Sequence, residues 1–504
     1  MKQRRFTAVV SAFTLALVAA LPAAAQLPAN FTAADIGDPG AAGSTKVENG
    51  VFTIQGSGHD IWDTADDFHY VYQRVTGDGS VSARILSAEG GDATWHKAGP
   101  MIRESDAPGA TNSYVSITTA RGVRWQWRPV ADEGCFGEEG DIYPRRLPLY
   151  LRAQRVGNET SAFVSTDGRI WRAVSAPRPL PLGESALFGL AVTSHLTGEI
   201  TTATFDTVAV QPGEVSVFGA DACAGDRSVL LTWRPVRNAV GYHVYRGAAE
   251  VTAEALTRIT TDPITAVSYT DMGEALTNGT AQTYVIRPLF RATDGSVREG
   301  LMLALTATPG TLPAGFAACG VNEGATGGSA LFNAASGEIT LRAAGSDFAT
   351  RPADQFFFLQ QTVEGNAQIT VRALTRPSGA HVLAKAGLMI RESLEATARY
   401  ASIHVTSASG LRASSRGVPD DTAISAEVLD DGSLTVPIVL RMTRRGNTIT
   451  SEYSTDNGQT FTESDRVEFE TDLPARIHFG LAGASRDGGQ LSEAKFGNLE
   501  VKKL

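Results

Sequence analysis

The sequence is poor in cysteine, in positive charge and in helical periodicity. Three cysteines in 504 residues exclude a fold built on disulfides and a cysteine-based structural zinc site. The net charge of −10 argues against nucleic acid or an anionic membrane surface as a partner, because both require clustered positive charge. Amphipathic helical stretches are lacking, whereas Gly reaches 51 and Pro 22. This composition is typical of a turn-rich β-protein.

A long apolar run occurs only at the N-terminus. Residues 1–5 are basic, residues 6–21 are apolar, and residues 22–25 offer an A-x-A cleavage site. This arrangement predicts a signal peptide over residues 1–25 and a secreted or periplasmic protein, with a membrane anchor as the alternative. Cleavage would remove three basic residues and shift the net charge from −10 to −13. We expect the mature chain to be a monomer without a membrane span.

An internal repeat predicts the domain organisation. The segment KAGPMIRES at 97–105 recurs as KAGLMIRES at 385–393, and matching positions continue on both sides. Each copy is about 180 residues long, which is the size of a whole domain rather than a solenoid unit. We therefore expect a first repeat over 27–212, a central segment over 213–310 and a second repeat over 311–504.

Alternating apolar residues predict β-strands in both repeats. Val81, Ala83 and Ile85 share one face of such a run, and turn signals such as Gly77-Asp78-Gly79 separate the runs. Many short antiparallel strands over this length favour a two-sheet jelly roll.

The central segment resembles a fibronectin type III domain. The resemblance rests on VLLTW at 229–233, GYHVYR at 241–246, and a candidate tyrosine corner at Tyr284. Such domains are usually spacers, so we assign no site to this segment.

The repeats resemble the concanavalin A-like (laminin G-like) domains of secreted bacterial proteins. The residues that carry the resemblance lie at 60–62, 95–105, 189–195 and 203–208. A similar K-A-G-x-M-I-R stretch occurs in the C-terminal β-sandwich of some bacterial β-xylosidases. The resemblance implies an all-β chain of two jelly-roll (concanavalin A-like) sandwiches separated by one fibronectin type III-like sandwich. It implies no reaction, because one fold carries many functions.

Catalytic and metal-binding motifs are lacking. Neither repeat contains the paired carboxylates of a sandwich glucanase, and H-E-x-x-H, G-x-S-x-G and P-loop motifs are absent from the sequence. Acidic residues around 132–139 could bind calcium, but they lack the oxygen spacing of a dedicated loop. We predict no cofactor and lean towards a protein that is not an enzyme.

Tryptophan and arginine suggest a ligand site in the first repeat. Five of the six tryptophans lie there, and Trp95 is matched by Leu383 in the second repeat, which indicates that some rings are accessible rather than core. Basic and amide side chains lie on the strand faces opposite to the apolar ones and could bind sugar hydroxyls or carboxylates. Core tryptophans and a solvated outer face with paired charges are the alternatives. The predicted ligand-binding residues are Trp62, Trp95, Arg103, Arg124, Gln126 and Arg128.

Two classes of function fit these features. The first is an exported, non-catalytic protein that binds a polysaccharide or a cell-surface glycan, most plausibly through the first repeat. The second is a structural or assembly protein of the cell surface without a small ligand. A glycoside hydrolase with an unrecognised site is a weaker alternative.

The cysteines allow one disulfide. In a fibronectin-like sandwich, Cys223 would fall in the turn before the second strand, and Cys319 follows the last strand by about a dozen residues, within reach of it. We predict a Cys223–Cys319 disulfide with Cys135 free. Three unpaired cysteines are the alternative.

Overall fold

The computed structural model describes residues 27–138, 146–322, 327–350, 353–379, 381–486 and 490–504. The predicted signal peptide lies outside these residues. Across the part that is described, the chain is all-β, with 37 strands and one 3-10 helix, Ala253–Ala255. In that same part, no helix is long and apolar enough to cross a membrane.

The strands of the first repeat are β1 Thr32–Ile36, β2 Ser44–Glu48, β3 Val51–Gly58, β4 Phe68–Thr76, β5 Gly79–Gly90, β6 Lys97–Arg103, β7 Asn112–Thr118, β8 Gly122–Arg128, β9 Phe136–Glu138, β10 Leu149–Val156, β11 Glu159–Ser165, β12 Arg172–Ala173, β13 Arg178–Pro179, β14 Ser185–Thr193 and β15 Leu196–Pro212. Those of the central segment are β16 Asp221–Gly225, β17 Ser228–Thr232, β18 Ala239–Ala248, β19 Thr257–Arg258, β20 Ser268–Met272, β21 Gln282–Arg291, β22 Val297–Glu299 and β23 Leu303–Ala307. Those of the second repeat are β24 Ala317–Val321, β25 Ser329–Asn333, β26 Glu338–Ala343, β27 Phe356–Glu364, β28 Ala367–Ala373, β29 Lys385–Arg391, β30 Tyr400–Thr406, β31 Leu411–Arg416, β32 Ile424–Leu429, β33 Ile438–Arg445, β34 Thr448–Ser454, β35 Thr462–Glu468, β36 Arg476–Ala484 and β37 Ser492–Lys503.

Two antiparallel sheets form the first repeat. The front sheet has the order β1-β4-β14-β6-β7-β8-β9, and the back sheet has the order β12-β11-β10-β5-β15-β3-β2 with β13 on β11. Alternation in β8 shows how they pack: Val123, Trp125 and Trp127 join the core between the sheets, while the residues between them face the opposite side. The two sheets therefore form a β-sandwich.

The central segment shares a sheet with the second repeat. Strands β20-β17-β16 continue directly into β24-β27-β36-β29-β30-β31-β32, which gives one ten-stranded sheet. The other central sheet has the order β19-β18-β21-β22 with β23 on β21, and the second sheet of the second repeat has the order β25-β26-β37-β28-β33-β34-β35.

A disulfide lies where the shared sheet passes from one part of the chain to the next. Cys223 of β16 stands directly opposite Cys319 of β24, and the two are disulfide-bonded with Cα atoms 4.1 Å apart. Cys135 is a free thiol. The expected position of Cys223 in a turn was wrong, because Cys223 lies inside a strand that pairs with the second repeat. Adjacent strands bring the two sulfurs together.

Candidate functional site

The outer face of the front sheet is covered by the chain itself. Every residue of β6, β7 and β8 is buried, so both faces of these strands are covered. The covering segment is the loop between β3 and β4, residues 59–67, in which Ile61 is fully buried. Gln126 of β8 donates a side-chain hydrogen bond to the carbonyl oxygen of Ile61. Gln126 thus anchors this loop and is itself buried.

A buried ion-pair triad fixes the end of the same loop. Asp66 accepts hydrogen bonds from Arg103 and from both terminal nitrogens of Arg128, at 2.7 and 2.6 Å. All three side chains have 0% exposure. The structure therefore places Arg103 and Arg128 in the interior, neither in a ligand cleft nor on the solvated face that was the alternative. Their acidic partner is the chain's own Asp66, and backbone carbonyl oxygens accept their remaining hydrogen bonds, which together offset part of the cost of burying the two cations.

The second repeat contains the same triad. Asp354 pairs with Arg391 and with Arg416, whose terminal nitrogens lie 2.8 and 2.6 Å from the two carboxylate oxygens. Since both repeats keep the arrangement, we interpret the triad as part of the fold.

Trp62 and Lys97 lie further along the covered face. Lys97 is buried, it donates to Asp60, and its Nζ lies 5.8 Å from the centroid of the Trp62 ring. Trp62 is half-buried. Its ring closes on Gly137 so tightly that a Cβ there would lie 2.9 Å from ring atoms. Part of the Trp62 ring is therefore accessible, but one side of it is packed.

A partly accessible group of aromatic and charged side chains borders this covered region and includes the buried Arg124 of β8. We call it the Trp95 cluster. The half-buried Trp95 ring is at its centre, with Arg121 Cζ 4.3 Å and Arg124 Cζ 5.2 Å from the ring centroid. The His195 ring centroid is 6.3 Å away. The members of the cluster are His59, Asp60, Asp92, Trp95, Arg121, Arg124 and His195.

Local hydrogen bonds hold Trp95 in place. Asp92 accepts from Thr94 N at 2.8 Å through its side chain and from Trp95 N at 3.0 Å through its carbonyl. Asp92 N donates to Ser194 O at 2.9 Å, which ties the Trp95 loop to the turn that carries His195. Gly91 is required here, because its φ is +59° and a Cβ would lie 2.5 Å from Ser194 O.

His195 bridges two carboxylates. Its Nε2 lies 3.3 Å from Asp60 Oδ2 and its Nδ1 lies 3.5 Å from Asp92 Oδ2. The side chain stays partly accessible, and its ring stacks at 6.0 Å on His59, which is exposed. The cluster thus combines a half-buried aromatic ring, over which two guanidinium groups lie, with further hydrogen-bond donors and acceptors, an arrangement suited to binding a polar ring compound at the exposed part of the ring.

The second repeat replaces this cluster. Matching positions carry Leu383 for Trp95 and Ser409 for Arg121. Arg486 takes the place of His195, both with positive φ, and it pairs with Asp347, which also holds Lys385 at 2.6 Å. The second repeat therefore keeps a buried lysine–aspartate pair, Lys385–Asp347 in place of Lys97–Asp60. It has no aromatic ring at the position of Trp95.

The sequence analysis found only part of the cluster. Of the predicted ligand-binding residues, Trp95 and Arg124 belong to it, Trp62 borders it, and Arg103, Gln126 and Arg128 hold the covering loop instead. Sequence reasoning missed His59, Asp60, Asp92, Arg121 and His195 as members of a site. The exchange of Arg121 for Ser409, and of His195 for Arg486, was the signal that could have found two of them.

Metal ligands and nucleophiles are a separate feature of the described residues. Among them, no group of three or more His, Cys, Asp or Glu side chains could hold a metal ion. The acidic run suggested for calcium lies partly outside the described residues. Burial raises the pKa of the Cys135 thiol to about 12, so this thiol is neutral at physiological pH and a poor nucleophile.

Comparisons with known proteins give only weak likenesses. No protein-family model and no curated protein matches the chain. A functionally unknown protein from Saccharomyces cerevisiae is 17% identical with a TM-score of 0.28, over 35% of this chain and 92% of that one. A xylan β-1,4-xylosidase from Bacillus halodurans is 10% identical with a TM-score of 0.27, over 93% and 98%. A β-1,2-glucanase from Parabacteroides distasonis is 12% identical with a TM-score of 0.16, over 56% and 37%. At such low TM-scores these likenesses assign no activity to this chain.

Proposed function

We propose that this chain is an exported, non-catalytic glycan-binding or adhesion protein that binds carbohydrate through the Trp95 cluster of its first repeat. The observation that carries the proposal is the half-buried Trp95 ring with charged side chains beside it, which the second repeat replaces with Leu383. A flat aromatic face packs against the apolar face of a sugar ring, and neighbouring polar groups bind its hydroxyls.

The proposed architecture follows the repeat. Residues 27–212 and 311–504 are taken as concanavalin A-like sandwiches, and residues 213–310 as a fibronectin type III-like domain. The tyrosine corner suggested at Tyr284 is not formed, because the hydroxyl of this buried residue donates to the side chain of Asp271 at 2.8 Å rather than to the backbone a few residues upstream. The fibronectin type III-like assignment therefore rests on the sequence resemblance. The disulfide supports an extracytoplasmic location, since cytosolic thiols are kept reduced. Export would follow from the signal peptide expected over residues 1–25.

A structural role at the cell surface is the second candidate. It is favoured by the ten-stranded sheet that joins the central segment to the second repeat and by the disulfide across that junction. Both features suit a stiff spacer or assembly unit, and neither needs a small ligand.

The test is a polysaccharide array probed with the chain from residue 27 onward, followed by Trp95→Leu. Leucine is the residue of the second repeat at this position, so the substitution suits the fold. We expect the variant to lose binding about tenfold or more, because a central aromatic contact dominates such a site. Phe136→Leu is the matched control, since Phe136 is an aromatic residue that is 51% exposed and lies outside the cluster.

Three results would count against the proposal. Binding that Trp95→Leu leaves intact would place the site elsewhere. Failure to bind any polysaccharide would favour the structural candidate. Release of reducing sugar from a bound polysaccharide would show that the protein is an enzyme.

A further inference from the structure

Two arginines lie against the ring of Trp95. Arg121 is exposed, and its Cζ lies 4.3 Å from the ring centroid, with that of Arg124 at 5.2 Å. A guanidinium over an aromatic face is held by the ring quadrupole. Its N–H groups lie in its own plane and remain available for a planar, two-oxygen acceptor. Stacking therefore orients Arg121 for bidentate binding before any ligand arrives.

The carboxylates near the ring are already engaged by the protein. Asp60 pairs with Lys97 and His195, and Asp92 accepts from Thr94 N and faces His195. Each of these two acids thus has a partner within the protein, although the Asp92 side chain is also 31% exposed. Arg121 is exposed and places a positive charge beside Trp95, although the chain as a whole carries −10.

The ring and the accessible cation occur together. Where the first repeat has Trp95 and Arg121, the second has Leu383 and Ser409. The second repeat keeps Arg412 at the position of Arg124, and there its Nη1 lies 3.6 Å from Glu427. Arg412 thus faces an acid of its own repeat, and the position that corresponds to Trp95 carries Leu383.

We propose that the glycan is anionic, with a sugar ring packed against the exposed part of the Trp95 ring and the carboxylate or sulfate of the sugar held by the adjacent Arg121. This inference rests on the proposed glycan binding and specifies its ligand class. Guanidinium groups bind planar oxyanions through two parallel charge-assisted hydrogen bonds, which are stronger than those to neutral hydroxyls. The overall negative charge of the chain disfavours indiscriminate adhesion to polyanions, so attraction would be confined to this cluster.

The experiment compares charged and neutral forms of the same polymers. The chain from residue 27 onward is titrated by calorimetry with polygalacturonate, fully methyl-esterified polygalacturonate, dextran sulfate and dextran, each at low and high salt. We expect the charged polymers to bind at least about tenfold more tightly than their neutral forms, with affinity falling as salt rises. Polygalacturonate tests the carboxylate and dextran sulfate tests the sulfate.

Variants at position 121 test the residue itself. Arg121→Ser, which installs the residue of the second repeat, is expected to lose about tenfold in affinity for the charged polymer. Arg121→Lys keeps the positive charge but lacks the paired N–H groups of the guanidinium, so we expect an intermediate loss of affinity. Arg291→Ser, at an exposed arginine of the central segment, is the control. Unchanged thermal unfolding of each variant establishes that the fold is intact.

The outcomes separate this inference from the proposed function. Equal binding of neutral and charged polymers would overturn the anionic ligand and leave glycan binding standing, as would full affinity in Arg121→Ser. Binding of none of the four polymers, together with an empty polysaccharide array, would overturn both.

Discussion

At the scale of single residues, Arg152 shows how two related copies diverge. In the second repeat, Arg441 forms a two-pronged pair with Glu452 at 2.7 and 2.6 Å. In the first repeat, the residue paired with Arg152 across the strands is Phe163. Arg152 Nη2 reaches Ser216 Oγ at 3.1 Å, while its Nε and Nη1 find no hydrogen-bond partner among the described residues. Burial lowers the pKa of Arg152 to about 9, so the group remains charged at neutral pH.

We expect Arg152→Met to raise the free energy of unfolding by about 1–3 kcal/mol, because it removes a buried charge that lacks an acidic partner. The gain is limited because the Arg152 guanidinium also lies over Phe163 and Trp171, with Cζ 4.3 and 4.6 Å from the ring centroids. Arg441→Met, which removes a partly exposed pair, should lower stability by about 1 kcal/mol or less. Urea unfolding of the three proteins measures both effects. A marked loss of stability in Arg152→Met would contradict this account.

At the scale of strands and loops, the outer face of the front sheet depends on its covering loop. The loop reaches across β6 and β8 and is fastened by Asp66 at one end and Asp60 at the other. Each acid pairs with cations that the strand alternation places on this face. The same design in the second repeat uses Asp354 and Asp347. Strands that would otherwise present a polar face are thereby buried on both sides.

Asp66→Asn should lower the free energy of unfolding by about 3–5 kcal/mol, since it leaves Arg103 and Arg128 buried without a counter-charge. Asp354→Asn should cost a similar amount in the second repeat. Glu48→Gln, which removes an exposed pair with Lys46, is the control, and we expect it to change stability by less than about 0.5 kcal/mol. Denaturant unfolding distinguishes these values. A loss at Asp66 as small as that at Glu48 would refute the triad as a major stabilising element.

At the scale of the whole molecule, the three parts of the chain meet at one junction. Arg234 of the central segment pairs with Glu159 of the first repeat and, at 3.1 Å, with Glu395 of the second. Asp221 lines the same junction cavity as Glu395. Burial raises the pKa of Asp221 to about 7, Glu395 adds to the rise and Arg234 opposes it. The unfolded carboxyl titrates near pH 3.9, so the folded state holds the extra proton between about pH 4 and 7.

The free energy of unfolding should therefore decrease as the pH rises from about 4 to 7. Asp221→Asn cannot ionise at this position, so the variant should not show this decrease. We expect the variant to match the wild type near pH 4 and to exceed it by roughly 1–3 kcal/mol at pH 8, less than the full shift implies because Asp221 is only partly buried. Burial lowers the pKa of His478 to about 4. The contribution of His478 to the free energy of unfolding is therefore lost as the pH falls from about 6.5 to 4. That contribution is common to both proteins and cancels in their difference. The measurement is the free energy of unfolding of both proteins at several pH values. A difference between them that stays constant from pH 4 to 8 would contradict the prediction.

Features that depend on local spacing could be predicted from the amino-acid sequence alone. Alternation placed Val123 and Trp125 on one face of β8 and Arg124 and Gln126 on the other, and the all-β class and the antiparallel sheets follow from the same pattern. The repeat, whose matching segments 97–105 and 385–393 are offset by 288 residues, likewise predicted matching structures in both copies, as the two triads show. The jelly-roll and fibronectin assignments, and the exact domain limits, stay proposals.

The residues that cover the polar face of the front sheet could be identified from the folded structure but not from the sequence. The alternation of apolar and polar residues along the strands predicts that Arg103 and Arg128 point away from the core between the sheets. The sequence pattern is the same whether such a cation is buried or solvated. The difference lies in Asp66, which is 37 and 62 residues away along the chain and reaches them through the covering loop. The same reason applies to the Trp95 cluster, whose members come from five separate loops and strands. Their proximity is set by strand order in the front sheet, which the local pattern of apolar and polar residues does not encode.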